Sequence, residues 1–370
     1  MGERSGNRVK KIKIFFTYNK IKFFKRMTSI KMKYTAVISV LFIIMIITVA
    51  CGGDHYTIRK KLAEPDIEIG RLEKDLFSSD PAGLREQGDS LRAKYGSFLQ
   101  LFAYVINAGN LDDSSSFENM VDFTTDRFNY ELYETVIAKF PDMSAYEKEF
   151  EKAWARYNHY FPDSVIPGIY TFISGFNNSV IVGDSVLATG LDRYLGAGHE
   201  YYKRLGLYNY VSLKMIPEKI VPDAMYAWAK ASYPYPSEDS GGDLLSKIIH
   251  EGKLYYFTKC MLYDYPDSLL FGFTSGQMKF CQDNEYSMWE YLIEHDMLFN
   301  TDLMLLRKLT GEAPFTSYFS SESPGRASVW LGFRIVESYM KNNGGIGLGE
   351  LLLNNNYRAI LEDARYNPDK

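Results

Sequence analysis

The 370-residue sequence holds only three cysteines, Cys51, Cys260 and Cys281. So few exclude a disulfide framework of the kind that staples small secreted domains. Cys260 and Cys281 alone follow Cys51, and the pair is compatible with a bridge or with two buried thiols. Acid is almost missing from the first 50 residues, where Glu3 stands alone against 11 Lys and Arg. After residue 50 there is no phosphate loop, no dinucleotide fingerprint and no Gly-x-Ser-x-Gly elbow. The sequence signals of nucleotide-dependent and serine-hydrolase chemistry are thereby removed. The glycines of 344–349 follow a helical pattern rather than a strand, and read as a helix stop and loop. Internal repeats, low-complexity tracts and interdomain linkers are also lacking.

Long apolar runs are scarce too. The one candidate, Ala36–Ala50 (AVISVLFIIMIITVA), falls a little short of the ~20 residues that a membrane-spanning helix needs. Lys31 and Lys33 precede it, the small Ala50 ends it, and Cys51-Gly52-Gly53-Asp54 follows. A basic start, a short apolar stretch and a small residue at the cut describe a signal peptide. With the cysteine placed directly after, the run resembles the lipobox of bacterial lipoproteins, although Thr48 stands where a Leu is usual. Cleavage would leave Cys51 as an acylated N-terminus. Residues 1–31 interleave Lys and Arg with Phe15, Phe16, Phe23 and Phe24. They read as an extension from an upstream start codon, with Met32 the true start, or as a basic membrane-surface helix. The expected organisation is a signal peptide with that extension over 1–50, a tether over 51–65, and a globular domain over 66–370. Without its first 50 residues the chain carries 31 basic and 45 acidic groups, a net of −14. Such a surface repels nucleic acid.

Within the domain, 66–160 has helical spacing, for example over Tyr130–Phe140. Residues 163–192 switch to short β-branched or aromatic runs, Ile169–Ile173, Val180–Val182 and Val186–Ala188, separated by Gly175, Asn177-Asn178 and Gly183-Asp184. These predict a small sheet arranged as a meander. Asp243 caps a predicted helix over Leu244–Tyr263, and Ser323-Pro324 starts another that ends at Asn342-Asn343-Gly344. Gly332, in the middle of that last helix, calls for close packing against another helix. The expected fold class is α+β, a mostly helical single domain with a small sheet before the helix that bears His250-Glu251.

His250-Glu251-Gly252-Lys253-Leu254 is the one local motif with chemical content. Zinc peptidases carry His-Glu-x-x-His on a helix, where two imidazoles four residues apart bind the metal and the glutamate activates water. Leu254 replaces the second histidine. Glu285 is placed to serve as a ligand from a later helix, but His250 and Glu285 supply two donors where a catalytic zinc has three. The spacing of His199 and His295 recommends neither for the gap. Lys253 shares a helix face with His250. Two readings are open for it: an ammonium filling a vacant metal position and paired with Glu251 or Glu285, or a solvated lysine beside a hydrogen-bonded core histidine. Arg326 and Arg334, eight residues apart, are expected roughly on one face, either within reach of the same acidic cluster or, as the commoner case for each taken singly, in surface ion pairs.

Ser246–Phe257 (SKIIHEGKLYYF), Asn284–Trp289, Ala313–Thr316 and Ser323–Tyr339 (SPGRASVWLGFRIVESY) occur in that order. Together with Thr189–Leu195 they resemble the gliding-motility lipoprotein B (GldB) family over roughly residues 55–345. That resemblance implies an envelope lipoprotein, needed for surface movement and without established enzymatic activity. It also implies distant similarity to zincin-like zinc proteases, with a zincin-like core over 161–345 and a vestigial site at His250, Glu251, Lys253 and Glu285. No cofactor is expected. The expected partners are the membrane, through lipid at Cys51, and envelope proteins, with the domain outside the cytoplasm. Two other functions are open: a zinc metallopeptidase with unusual ligands, and a glycan-binding lipoprotein using aromatics such as Tyr233 and Tyr235.

Overall fold

In the computed structural model, which describes residues 56–58, 60–236 and 242–370, strand β1 (Ile69–Arg71) opens the chain's regular structure. Helices α1 (Leu72–Phe77), α2 (Pro81–Glu86), α3 (Gly88–Tyr95), α4 (Ser97–Val105), α5 (Ser114–Thr125), α6 (Arg127–Lys139) and α7 (Ser144–Tyr160) follow. Next come β2 (Gly168–Phe172), β3 (Val180–Gly183) and β4 (Val186–Gly190), then the short helices α8 (Glu200–Arg204) and α9 (Asn209–Ser212). The remainder is helical: α10 (Ile220–Ser232), α11 (Leu244–Met261), α12 (Asp267–Phe271), α13 (Ser275–Asp283), α14 (Glu285–Glu294), α15 (Leu303–Thr310), α16 (Ala327–Asn342), α17 (Leu348–Leu353) and α18 (Tyr357–Ala364). The architecture is α+β, mostly helical with one small mixed sheet. The signal peptide, the extension over 1–31 and Cys51 lie outside the described residues.

The three predicted strands form, but not as a meander. The strand order is β1-β2-β4-β3, with β1–β2 and β2–β4 parallel and β3–β4 antiparallel. Burial explains the difference. Every residue of β4 is buried, which suits a central strand covered on both faces, whereas β3 is half exposed and takes an edge. Alternation along the strands then divides the core in two. Ile169, Ile173 and Leu187 face the larger core, built mainly with α6, α7, α10, α11 and α16. Phe172, Val186 and Ala188 face a smaller one, built with α1 to α5. Strand β1 was not predicted, although buried Ile67 and Ile69 flank exposed Glu68 in the required period of two.

Helix α11 begins as expected, with the Asp243 carboxylate accepting from Ser246 N at 2.9 Å. Every residue of it except Lys247 and Lys259 is buried, so it is a core helix rather than an amphipathic one. Its principal partner is α16, and the two cross at a pair of glycines. A Cβ on Gly332 would lie 1.9 Å from the Ile248 carbonyl oxygen, and one on Gly252 would lie 2.4 Å from the Gly332 carbonyl carbon. The close packing expected of Gly332 is thus present.

The start of α16 differs from expectation. Ser323 does not cap it; its hydroxyl donates to Ser320 O at 2.6 Å and accepts from Thr316 N at 3.1 Å. The helix begins at Ala327, after Arg326 in a left-handed conformation (φ 64°). A residue distant from the start supplies the cap: Thr316 Oγ1 accepts from Ala327 N at 3.0 Å and donates to Pro324 O at 2.8 Å. Proline at 324 and Gly325 hold the preceding turn, which is why the first helical position falls three residues late.

Candidate functional site

The His-Glu helix turns His250 and Glu251 to different sides, each against a partner inside the fold. His250 is 2% exposed. Its Nδ1 lies 3.3 Å from the Tyr357 hydroxyl on α18, and its ring packs edge-on against Tyr235 with centroids 5.1 Å apart. Burial, reinforced by the charge on Lys253, pulls its pKa down to about 4. The imidazole is therefore neutral at physiological pH. Glu251, about 100° further round the helix, turns to α10. It accepts a short hydrogen bond from the Tyr226 hydroxyl and lies 3.8 Å from Lys230 Nζ.

Lys253 does share a face with His250, and both meet Tyr357, but it pairs with neither proposed carboxylate. Its ammonium donates to Leu352 O at 3.0 Å and Asn354 O at 2.9 Å, and sits 5.2 Å from the Tyr357 ring centre. The side chain is 0% exposed, and burial pushes its pKa down to about 8. Carbonyls at the end of a helix have no intrahelical partner, so the end of α17 presents the acceptors that a buried ammonium requires. The carboxylates go elsewhere. Glu285 accepts from the Tyr366 hydroxyl at 2.7 Å and pairs with Arg334 at 3.0 Å.

Arg326 and Arg334 do not converge on one acidic cluster. Arg334 holds Glu285 and Glu337. Arg326 precedes the helix, so helical spacing does not govern its direction. It pairs with Glu312 at 2.8 Å and donates to the Tyr255 hydroxyl at 2.7 Å and Phe271 O at 3.0 Å. Its guanidinium ties the loop before α16 to α11 and α12.

These positions do not converge on one point. The second-histidine position, Leu254, is 0% exposed in the apolar core. The donors His250, Glu251 and Glu285 are directed to α18, α10 and α16 respectively. Among the described residues, no three of His, Cys, Asp and Glu come close enough to hold a metal ion. His199 accepts from Tyr201 N at the start of α8, and His295 lies against Tyr291 O; neither meets His250. Cys260 and Cys281 are unbridged and buried, and burial with nearby Glu285 pushes the Cys281 thiol up to about 12. Tyr235 is no open sugar platform: it packs on His250, and its hydroxyl lies 2.7 Å from Ser246 Oγ.

Reading the sequence missed Tyr357, Tyr226, Tyr366, Glu312 and Glu337 as members of this network. Tyrosines at helical spacing look like packing, and only the hydroxyl's position in space reveals the second role.

A family model described as gliding motility protein GldB matches residues 56–368. The chain belongs to that family. Comparison with curated proteins and with solved structures gives no match. The GldB match runs past residue 345 and takes in α17 and α18, which supply the partners of Lys253 and His250. The interior network therefore lies wholly within the GldB region. Among the described residues, no helix is long and apolar enough to cross a membrane. The lipoprotein character and the association with gliding motility come from the GldB family match.

Proposed function

We propose that the chain is a non-catalytic, lipid-anchored envelope protein that acts through contacts with other proteins of a surface-motility machinery. One observation carries the reading. Every ionisable group that the degenerate His-Glu motif offers is already committed to a partner within the fold, with Lys253 held by two backbone carbonyls. A catalytic zinc keeps an open position for water beside three converging donors, and this arrangement offers neither. The motif reads as the remnant of a zincin-like site over 161–345 whose polar residues now hold helices together.

In this reading residues 1–50 are removed, Cys51 carries the lipid, 51–65 form the tether, and 66–370 form the working domain outside the cytoplasm. No cofactor is required, and the net charge of −14 makes nucleic acid a poor partner. The competing reading, a metallopeptidase with unusual ligands, makes a direct prediction. Metal analysis of the purified, lipidated chain is expected to give no stoichiometric zinc, and His250→Ala is expected to leave the metal content unchanged. One zinc per chain, lost in His250→Ala, would overturn the proposal.

A further inference from the structure

A cavity of about 250 Å³ opens between α9 with the segment after it, the turn joining α12 to α13, and Pro314 and Pro324 of the loop before α16. Much of its wall is apolar, supplied by Leu213, Ile216, Leu269 and Phe273. No residue of the His-Glu motif lines it. Sites for drug-sized ligands run to about 300–1,000 Å³, so this one has room for a single side chain and its end group. The surface beside it is apolar too. Tyr208 is 70% exposed and stacks on Tyr210, a lining residue, with ring centroids 5.6 Å apart, and Leu213 is 45% exposed. Exposed apolar side chains need no explanation singly, but grouped at a cavity they mark an interaction surface.

Lys214 gives the cavity its sign. Its ammonium pairs with one oxygen of Glu312 at 2.6 Å, but that carboxylate is shared, because Arg326 Nε lies 2.8 Å from the other oxygen. Two cations thus divide one carboxylate. Lys219, the second lysine of the lining, is held by Asp223 at 2.7 Å and by Leu270 O at 2.9 Å. Burial, with the charges of Arg326 and Lys219 nearby, holds the Lys214 pKa below the ordinary lysine value despite Glu312. None of the residues lining the cavity is acidic. The hydroxyls of Ser268 and Tyr210 also line it, and neither has a protein partner among the described residues. A second carboxylate would take Lys214 while Glu312 stayed with Arg326, so no charge would be left unpaired.

We propose that this cavity takes the C-terminus of a partner protein, a free carboxylate on a chain that ends in an aliphatic or aromatic residue. The carboxylate pairs with Lys214 and accepts from the hydroxyls of Ser268 and Tyr210, and the last side chain fills the apolar interior. The stacked tyrosines and Leu213 meet the residues before it. Capture of a terminal carboxylate is a recurring mode of peptide recognition, whereas phosphorylated segments are met by clusters of arginine. A single lysine that shares its counter-charge suits the single charge of a chain end. The inference rests on the reading that the protein acts through contacts with other proteins, and names the chemistry of one such contact.

The test is isothermal titration calorimetry of the purified full chain with the probe peptide acetyl-Gly-Ser-Gly-Ser-Leu, made with a free C-terminal carboxylate and as its C-terminal amide. The free acid is expected to bind at least tenfold tighter than the amide, and at least tenfold tighter than the same peptide ending in Asp. Lys214→Gln should bring the acid down to the affinity of the amide without changing the melting temperature, because Glu312 keeps Arg326. Lys279→Gln, at an exposed ion pair on α13, should leave binding unchanged. No heat of binding, equal binding of acid and amide, or binding indifferent to Lys214→Gln would each overturn the inference. N-acetyl-leucine or octanoate bound as tightly as the peptide would overturn the assignment to a partner protein and make a small amphipathic acid the ligand. Zinc content, which decides the reading of the His-Glu motif, is measured separately, so either result stands if the other fails.

Discussion

Replacing Gly332 by Ala should destabilise the protein, against the direction that helix propensity alone predicts. In an exposed helix interior, Ala is better than Gly by about 1 kcal/mol. Here the added methyl would sit 1.9 Å from the carbonyl oxygen of Ile248 and 2.4 Å from its carbonyl carbon, both backbone atoms of α11. No side chain can move aside, so α11 and α16 must separate by about 1.5 Å to restore an ordinary contact of 3.4 Å. A gap of about 0.5–1 Å already forfeits a quarter to a half of the dispersion energy of the atoms facing it, and this one is wider. Overpacking in a core costs about 1–3 kcal/mol, and the upper end applies when backbone is the obstacle. The net expectation is a loss of about 2–3 kcal/mol, or a fall of roughly 3–5 °C in melting temperature for a unit spanning His55–Lys370. Gly252→Ala should act alike, because its methyl would strike the Gly332 carbonyl at 2.4 Å. Once the helices are apart the second methyl costs less, so the double replacement should fall short of the sum by more than about 0.5 kcal/mol. Chemical denaturation followed by far-UV circular dichroism reads all three. A Gly332→Ala protein that is more stable than its parent would refute the close crossing.

Three further outcomes follow from the interior network. Lys253→Met removes a buried charge but orphans the carbonyls of Leu352 and Asn354; a net loss of about 2 kcal/mol is expected, and an unchanged denaturation midpoint would contradict it. His250 has its pKa lowered from 6.5 to about 4, so the unfolded chain binds the extra proton between those values and stability is lost as pH falls through that window. The contribution is about 3 kcal/mol for this 2%-exposed ring. In His250→Gln the difference from the parent should shrink by that amount between pH 6.5 and pH 4, which melting curves across the window would show or deny. Thr316→Val deletes the cap of α16 and leaves Ala327 N without it, while Pro324 O keeps the Thr316 N–H at 3.0 Å, at a cost of about 1–2 kcal/mol. A loss under about 0.5 kcal/mol in urea titration would argue that the cap is dispensable.

Much of the fold was legible because it rests on local signals. Asp243 before an apolar run marks the start of α11, the change from helical to alternating spacing marks the strands, and a mid-helix Gly332 marks a close crossing. What escaped depends on groups that carry no sequence identity or lie far along the chain. Lys253 is answered by carbonyl oxygens, which any residue can present, so a search for carboxylates could not find them. The cap of α16 comes from Thr316, eleven positions before Ala327. The order of the strands turned on which run is buried on both faces, and that is decided by the helices of both cores rather than by the strands. For the site, the residues of the motif were correctly located on one helix. Their separate destinations followed from the packing of α10, α16 and α18 around it.

The central claim is that position at the membrane, rather than chemistry at the His-Glu motif, makes this protein work. Complementation of a chromosomal deletion with full-length variants tests it most directly. Glu251→Gln keeps an acceptor for the Tyr226 hydroxyl but abolishes a general base. It is expected to restore surface movement to the parental level, whereas Cys51→Ala, which would remove the proposed anchor, is expected to fail. A folded Glu251→Gln protein that does not restore movement, beside a Cys51→Ala protein that does, would contradict the account.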